Sequence, residues 1–249
     1  MKIAVISDIH GNLLALEAVL EDLKHESPDR IVNLGDCVSG PLWPDETATL
    51  LRETDWPTVR GNHDRFLLED PFEKMGPTDA FAAERLSAEN LDWLKTTRPT
   101  IRLGDDIFLC HGTPDDDNRY LTEKVEGPKG HLPDEETLLA DIGTETAPVI
   151  CCGHTHIPRV IHLSATGQTI LNPGSVGLPS YEDDHPHKHK MEVGSPHARY
   201  AVMTKAGRDW NFQERILSYD WDAASREAEK NGRPGWARAL KHGFYGPLS

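Results

Sequence analysis

Carboxylates, histidines and one amide stand in short clusters directly after apolar runs of this sequence. Asp8 and His10 follow residues 2–7 (KIAVIS), and His154 and His156 stand in a Gly-His-x-His sequence. Three further clusters lie between them along the chain: Asp36, then Asn62-His63-Asp64, then His111. Carboxylate, imidazole and amide ligands without a thiolate suit Mn²⁺, Fe, Co, Ni or Zn, and these residue types do not choose among the metals. Two such cations joined by a bridging carboxylate would clamp a phosphate and activate a water.

The runs before these clusters predict the β-strands that must position them. Residues 2–7 and 30–34 are apolar and β-branched, which is typical of buried parallel strands, and further strands are expected at 57–60, 106–110 and 148–152. Because ligand sites in open α/β sheets lie at the carboxyl ends of strands, we expect the clusters to converge on one crevice. Within Asp-x-His and His-x-His, extended backbone would point both side chains the same way, towards one metal or two adjacent metals.

The rest of the pattern predicts helices around these strands and hairpins later in the chain. Asn12 is the expected N-cap of a first helix. Further elements are expected as helices at 45–54, 78–96, 134–142 and 221–241, and as hairpins at 158–172 and 199–218. The charged, histidine-rich residues 181–196 are expected to form an exposed loop. The order of elements indicates a layered α/β fold with mixed sheets. We predict one domain over residues 1–249, with a core of about 1–218 and a helical tail of about 219–249.

Composition and charge narrow the class of protein. With 26 Lys and Arg against 41 Asp and Glu, the net charge is −15, which argues against a protein that holds long nucleic acid by phosphate neutralisation. A small phosphorylated substrate stays compatible, since bound cations reverse the local field. The four cysteines sit in apolar runs and the N-terminus lacks a signal-peptide pattern, which favours free thiols and a cytoplasmic protein. No apolar run reaches the length of about 18 residues needed to span a membrane, so no membrane partner is expected. The oligomeric state is not indicated.

Together the clusters form a specific pattern, although each alone has a plain structural explanation. Short motifs such as Asp-x-His and Gly-Asp are common as helix caps and turns. In this order, D-x-H, G-D, G-N-H-D, H and G-H-x-H resemble the calcineurin-like metallophosphoesterase superfamily over roughly residues 1–205. Gly40-Pro41, Val59-Arg60 and residues 172–175 (NPGS) are similar to its small prokaryotic phosphodiesterase branch. The resemblance implies a four-layer α/β/β/α sandwich, in which two mixed β-sheets are flanked by helices.

The resemblance also implies roles for the residues of the clusters. It implies that seven residues are metal ligands: Asp8, His10 and His156 for one divalent ion, Asn62, His111 and His154 for the other, and Asp36 as the bridge. Asn62 and His63 would contact the phosphate, and His63 would protonate the leaving oxygen. The expected cofactors are two divalent metal ions, with manganese preferred and iron, nickel, cobalt or zinc as alternatives. The nucleophile would be a metal-bound hydroxide that attacks phosphorus in line.

One position departs from the pattern of the protein Ser/Thr phosphatases. Their second motif continues G-D-x-x-D-R, with an Asp that orients the catalytic histidine and an Arg that binds phosphate, whereas this chain has Ser39 and Gly40 there. The departure disfavours a protein phosphatase. It leaves two roles open for His63, general acid or phosphate contact alone. It also leaves two roles open for Asp64, orienting a partner or shaping a turn.

Three hypotheses about function follow. The favoured one is a dinuclear metal-dependent phosphoesterase acting on a small phosphodiester or phosphomonoester. The first alternative is a hydrolase of dinucleoside polyphosphates of the diadenosine tetraphosphate type, with Arg65, Arg119 and Tyr120 as candidate nucleotide contacts. The second alternative is a non-catalytic protein-interaction scaffold of the same fold, which the complete ligand set and the presence of His63 disfavour.

Overall fold

The computed structural model describes residues 1–246, in which thirteen strands and eight α-helices are formed. The strands are β1 (Lys2–Ile6), β2 (Arg30–Asn33), β3 (Ile101–Leu103), β4 (Ile107–Leu109), β5 (Lys124–Val125), β6 (Gly130–His131), β7 (Val149–Cys151), β8 (Arg159–His162), β9 (Thr169–Asn172), β10 (Ser180–Asp183), β11 (His189–Glu192), β12 (Ala198–Ala206) and β13 (Asp209–Leu217). The helices are α1 (Leu13–Glu26), α2 (Pro44–Arg52), α3 (Asn62–Glu69), α4 (Pro77–Ala83), α5 (Ala88–Leu94), α6 (Glu135–Ile142), α7 (Trp221–Lys230) and α8 (Pro234–His242).

Two mixed sheets carry the strands whose ends bear the polar clusters. The first has the order β13-β12-β1-β2, with β1 parallel to β2 and antiparallel to β12. The second has the order β3-β4-β7-β9-β8, in which the three central strands are parallel and both edge strands are antiparallel. The small hairpins β5–β6 and β10–β11 stand outside both sheets.

Three hydrophobic layers separate the two sheets from each other and from the helices. Alternate residues of β1 face opposite ways, as the pleat of a strand requires. Ile3 packs between the sheets with Leu109 of β4, whereas Ala4 packs against the helices through Leu16 of α1. On the far face of the second sheet, Ile150 packs against α6. This arrangement confirms the four-layer α/β/β/α fold that the family resemblance implies.

The structure changes three of the predicted elements. The strand expected at 57–60 is reduced to isolated bridges at Thr58 and Val59, because Pro57 has no backbone N–H to donate to a ladder. The helix expected at 78–96 is divided into α4 and α5, since Ser87 takes extended backbone and caps α5 by accepting a hydrogen bond from Asn90.

The prediction of an exposed loop at 181–196 is wrong for most of that segment. Residues of β10 and β11 form an antiparallel hairpin, and His189 and Met191 within it are buried. His189 Nε2 lies 3.1 Å from the hydroxyl of Tyr120, so the buried imidazole has a polar partner. The segment is therefore part of the packed structure beside the strand ends.

The C-terminal helices agree with the predicted break in the tail. Asn231 follows α7, and Pro234 opens α8 as its first residue. The two helices pack on each other and on Leu42, which follows the second polar cluster. The end of the predicted tail, residues 247–249, lies outside the described residues. Within residues 1–246, no helix combines the length and apolar character needed to cross a bilayer.

Candidate metal centre

The structure brings the predicted metal ligands together at one end of both sheets. Two groups have ligand atoms within 4.8 Å of one another: Asp8, His10 and His156 in one, and Asp36, His111 and His154 in the other. Both groups are buried. Asn62, the seventh predicted ligand, is buried at the start of α3 and lines the same cleft as His10 and Asp36. Residues as far apart along the chain as Asp8 and His156 thus meet in one place.

Left-handed backbone, and not extended backbone, makes these side chains converge. Six non-glycine residues between 1 and 246 have positive φ, and five of them are predicted ligands: Asp8 (55°), His10 (52°), Asp36 (54°), His154 (66°) and His156 (59°). The left-handed region costs an L-residue about 1–2 kcal/mol. Such strain persists only where surrounding structure enforces it, and it clusters at functional sites. The side chains of Asp-x-His and His-x-His do converge, but the prediction that extended backbone would direct them to the same side is wrong.

Asp64 fixes two of the loops against each other. Its Oδ2 accepts hydrogen bonds from the backbone N–H of Asp36 at 2.9 Å and of Gly61 at 3.0 Å, and its Oδ1 accepts from Cys37 at 3.0 Å. Burial and the charge of Asp36 raise the pKa of Asp64 to about 6, against the effect of these N–H donors. Of the two roles open for Asp64, the structure shows the one that shapes the turn.

Glycine is required where the loops approach the carboxylates. A Cβ atom at Gly153 would lie 2.0 Å from Ser7 Oγ and 2.8 Å from Asp8 Oδ2. The NPGS segment supports the same region, because Asn172 Nδ2 donates to Gly153 O at 2.8 Å and Ser175 Oγ donates to Asp8 O at 2.7 Å. These residues hold the loops that carry Asp8 and the Gly-His-x-His sequence.

Hydrogen bonds to backbone carbonyls determine which ring nitrogen of each histidine is left free to bind a metal. In three histidines Nδ1 donates to a carbonyl oxygen: His10 to Ser39 at 2.8 Å, His111 to Leu34 at 2.8 Å and His156 to Leu178 at 2.6 Å. Such contacts leave Nε2 as the nitrogen available to a metal. His154 is reversed, because its Nε2 donates to Asn118 O at 3.1 Å and Nδ1 is left available.

The two carboxylates lie between the groups of histidines. Asp36 Oδ2 is 3.2 Å from His111 Nε2 and 3.8 Å from His10 Nε2. Asp8 Oδ1 is 3.4 Å from His156 Nε2 and 3.8 Å from His111 Nε2. Each carboxylate is therefore within reach of both groups, as a bridge between two cations must be.

Two buried atoms show that these residues fit a metal. Among residues 1–246, Asn62 Oδ1 is buried without a hydrogen-bond partner, and His111 Nε2 has the Asp36 carboxylate at 3.2 Å but forms no well-aligned hydrogen bond. Buried polar atoms without partners are rare in proteins and call for an explanation such as an ion. Oxygen and imidazole nitrogen donors with no thiolate are the ligands that first-row divalent cations accept. The donor set and its unpaired atoms are consistent with two divalent ions.

The charges of the site oppose the effect of burial on its carboxylates. Burial alone would raise the pKa of Asp36, but His111 and His63 outweigh it and hold that pKa well below the ordinary value. Burial alone would lower the pKa of His111, yet Asp36 raises it to about 10. Burial lowers the pKa of His10 and of His154 to about 4, with His156 and His111 adding to the respective shifts. His10 and His154 are therefore neutral at pH 7, whereas His111 shares a proton with Asp36 and would have to release it to bind a metal.

His63 has a carboxylate partner that the sequence reasoning missed. His63 Nδ1 lies 2.7 Å from Oδ1 of Asp79, a buried residue of α4, and Ser39 Oγ donates to the same oxygen at 2.5 Å. Burial alone would lower the pKa of His63, but Asp36 and Asp79 raise it to about 9. Ser39 occupies the position at which protein Ser/Thr phosphatases have the orienting Asp, and here the carboxylate comes from α4 instead. An Asp in the first turn of a helix is so common that no sequence signal singled it out.

The candidate ligands open onto a cleft of about 580 Å³. Its walls include residues from outside the motifs: Phe66, Thr78, Tyr181, His185, Arg233, Trp236 and Tyr245. The ring of Trp236 lies 5.9 Å from the ring of His10, edge to face. Arg233 Nη2 donates to Pro77 O at 2.9 Å, and its Nε is buried without a hydrogen-bond partner in the part of the chain that the structure describes. The C-terminal helices thus form part of the candidate site.

The three residues considered as nucleotide contacts do not face this cleft. Arg65 and Arg119 are held in ion pairs with aspartates, and the Tyr120 ring packs 4.7 Å from that of His154. None of the three is among the described residues that line the cleft.

Comparison with known proteins places the chain among proteins of similar length and fold. The family model of the calcineurin-like phosphoesterase superfamily domain matches residues 1–193. An uncharacterized protein of Methanocaldococcus jannaschii is 30% identical over an alignment of 257 positions, which covers 94% of each chain. The crystal structure of a metallophosphoesterase from Sphaerobacter thermophilus superposes with a TM-score of 0.75 at 25% identity, over 98% of this chain and 99% of that one. A hypothetical protein from Pyrococcus horikoshii has the same fold, with a TM-score of 0.72 at 18% identity over 98% of both chains.

Proposed function

This chain belongs to the calcineurin-like phosphoesterase superfamily, and we propose that it is a dinuclear metal-dependent phosphoesterase acting on a small phosphodiester or phosphomonoester. One observation carries the proposal. Buried oxygen and nitrogen donors fill all seven proposed ligand positions, two of them without a well-formed hydrogen bond to any described residue, at a cleft large enough for a small organic phosphate.

The proposed ligand sets follow the two groups of side chains. Asp8, His10 and His156 would hold one cation; Asn62, His111 and His154 would hold the other, with Asp36 between them. We favour Mn²⁺ on the family resemblance, since the donor types by themselves also suit Fe, Co, Ni and Zn. When bound, two such cations supply an activated water and neutralise the charge of the phosphate oxygens.

His63 is proposed to act on the substrate itself. Its backbone N–H donates to Asp36 Oδ1 at 3.0 Å, so the residue is anchored beside the candidate ligands. Its ring lines the cleft, and Nδ1 is engaged with Asp79. Nε2 is then the nitrogen left to contact the phosphate and to give a proton to the leaving oxygen. In the overall reaction, water adds to phosphorus and the bond between phosphorus and the leaving oxygen breaks.

The walls of the cleft favour a compact ester over a polyphosphate. Arg233 is the one Lys or Arg among the described residues that line it, while Glu182 and Asp183 contribute negative charge. A dinucleoside polyphosphate carries several negative charges and needs more cations than this wall offers. A phosphodiester of single charge, with an aromatic or apolar group against Phe66 and Trp236, suits the cleft better.

The proposal also covers the class of substrate and the cell compartment. A net charge of −15 supports a small phosphorylated substrate in preference to long nucleic acid. All four cysteines are free and buried, which supports a reducing compartment such as the cytoplasm.

A screen of metal-loaded protein tests the proposed function. Protein reconstituted with Mn²⁺ should hydrolyse bis(p-nitrophenyl) phosphate, and Asp36→Asn should remove most of this turnover. Asp92→Asn is the matched control, because it removes the same charge from an exposed position on α5 whose partner is Lys95. The proposal fails if Mn²⁺, Co²⁺ and Ni²⁺ all leave phosphodiesters and phosphomonoesters intact, or if Asp36→Asn changes nothing.

A further inference from the structure

We propose that Asp79 is the positioning residue of His63, so that a carboxylate from α4 completes a proton-donating pair at the cleft. The inference rests on the proposed phosphoesterase function, because it concerns how the leaving oxygen of that reaction receives its proton. In protein Ser/Thr phosphatases the corresponding Asp belongs to the second motif, where this chain has Ser39. The tertiary structure supplies the carboxylate from a segment that no motif covers.

The contact geometry is that of a charge-assisted hydrogen bond. Asp79 Oδ1 and His63 Nδ1 are 2.7 Å apart, within the range of such bonds. Asp79 is 3% exposed and Ser39 is fully buried, so water does not compete for the carboxylate. A carboxylate accepts, so Nδ1 carries the hydrogen and the ring is held in a fixed orientation and tautomer.

Ser39 supports the pair and does not replace it. Its Oγ is 3.4 Å from His63 Nδ1 but 2.5 Å from Asp79 Oδ1. The hydroxyl therefore donates to the same carboxylate oxygen that the histidine contacts. The residue at the usual motif position thus helps to hold the carboxylate that α4 supplies.

A purely structural role for Asp79 does not account for its contacts. An Asp in the first turn of a helix ordinarily accepts hydrogen bonds from backbone N–H groups. Among the described residues, the Asp79 carboxylate accepts from two side chains, those of Ser39 and His63, and from no backbone N–H. The start of α4 is held separately, because Arg233 Nη2 donates to Pro77 O.

The attacking water forms the new bond to phosphorus and releases one proton to solvent. As the bond between phosphorus and the leaving oxygen breaks, His63 Nε2–H passes its proton to that oxygen, and the alcohol departs neutral. Asp79 stays ionised and keeps the proton on Nδ1 throughout. His63 then regains a proton from solvent. The benefit grows with the basicity of the leaving group, since a nitrophenolate departs unaided and an alkoxide does not.

Leaving-group dependence separates this role from a structural one. In Mn²⁺-loaded protein, Asp79→Asn should lower kcat by about 100-fold for a phosphodiester with an alkyl leaving group. The same variant should change kcat little for a nitrophenyl diester, and KM should stay the same for both. Glu84→Gln is the matched control, because Glu84 ends the same helix in an exposed position and pairs with Arg85. Ser39→Ala should produce a smaller effect with the same dependence on leaving group.

A second readout needs no metal and no turnover. In metal-free protein labelled with ¹⁵N-histidine, His63 should show an Nδ1–H proton at strongly low field, assigned by its loss in His63→Gln. This signal should persist in Glu84→Gln and move upfield in Asp79→Asn. A wild-type His63 that carries its hydrogen on Nε2 alone would contradict the proposal.

The possible failures are distinguishable. A wild-type protein that turns over no phosphoester overturns the proposed function, whatever the spectrum of His63. An active wild type with an unchanged Asp79→Asn variant overturns the role of Asp79 alone. An equal loss for all leaving groups, accompanied by lost metal or a lower Tm, assigns Asp79 to structure and also overturns it.

Discussion

Asp36 and Gly61 are packed so closely that no side chain fits between them. A Cβ atom at Gly61 would lie 2.1 Å from Asp36 Oδ1 and 2.5 Å from the Asp36 backbone nitrogen. Both residues are also tied to Asp64, whose Oδ2 accepts a hydrogen bond from each. The position of the proposed bridging carboxylate therefore depends on the absence of a side chain at residue 61.

Replacing Gly61 with Ala should displace Asp36 and cost both stability and metal affinity. Overpacking of this kind costs roughly 1–3 kcal/mol. Metal content after dialysis and the Tm of the metal-free protein measure the two effects. Gly127→Ala is the control, because a Cβ there meets nothing within 4 Å. A Gly61→Ala protein that binds both metals as the wild type does would show that Asp36 has room to move.

Removing the imidazole of His63 should leave the metals in place and remove turnover. His63 is outside both groups of ligand atoms, so His63→Ala should retain the wild-type metal content. For a phosphodiester with an alkyl leaving group, loss of a general acid should lower kcat by about 100-fold or more. Elemental analysis alongside kinetics makes the comparison, and a variant empty of metal would contradict the role assigned to His63.

Arg233 should contribute to substrate affinity more than to the chemical step. Its guanidinium lines the cleft and, among the described residues, forms no ion pair, so an anionic substrate is its natural partner. Arg233→Gln should raise KM about tenfold, the effect of losing one charge-assisted hydrogen bond. Arg208→Gln, in the exposed turn between β12 and β13, is the control. An unchanged KM would place Arg233 outside the substrate contacts.

Acid should weaken the contact between α1 and the first sheet. Arg215 and Tyr200 donate hydrogen bonds to Asp22, at 2.7 Å and 2.6 Å, and the bond from Arg215 holds the pKa of Asp22 below its ordinary value. A lowered folded-state pKa gives stability that is complete above the unfolded pKa and is lost as pH falls through the folded one. The Tm difference between wild type and Asp22→Asn should therefore be constant near pH 6 and shrink as the pH falls from about 4 towards 2. A difference that is constant over this range would show that Asp22 acts through shape alone.

Much of the fold could be predicted from sequence because its signals are local. Continuous apolar runs predict β1, β2, β4 and β7, and Asn12 caps α1 as expected, by accepting from Ala15. Where local signals competed, the prediction failed. Ser87 divides a helix that apolar spacing alone would continue. The charged residues of β10 and β11 form a hairpin because they pair with each other and pack on distant residues, which a local sequence pattern does not reveal.

Residue types and short spacings along the chain identify the polar residues that meet at the strand ends, and their motifs carry the resemblance that implies the family and the layered fold. How that set is completed depends on tertiary contacts. Asp79 reaches His63, and Arg233 reaches the cleft, because helices packed against one another bring distant segments together. A hydrogen bond depends on distance in space and leaves no fixed spacing in sequence, so neither partner could be found before the fold was known.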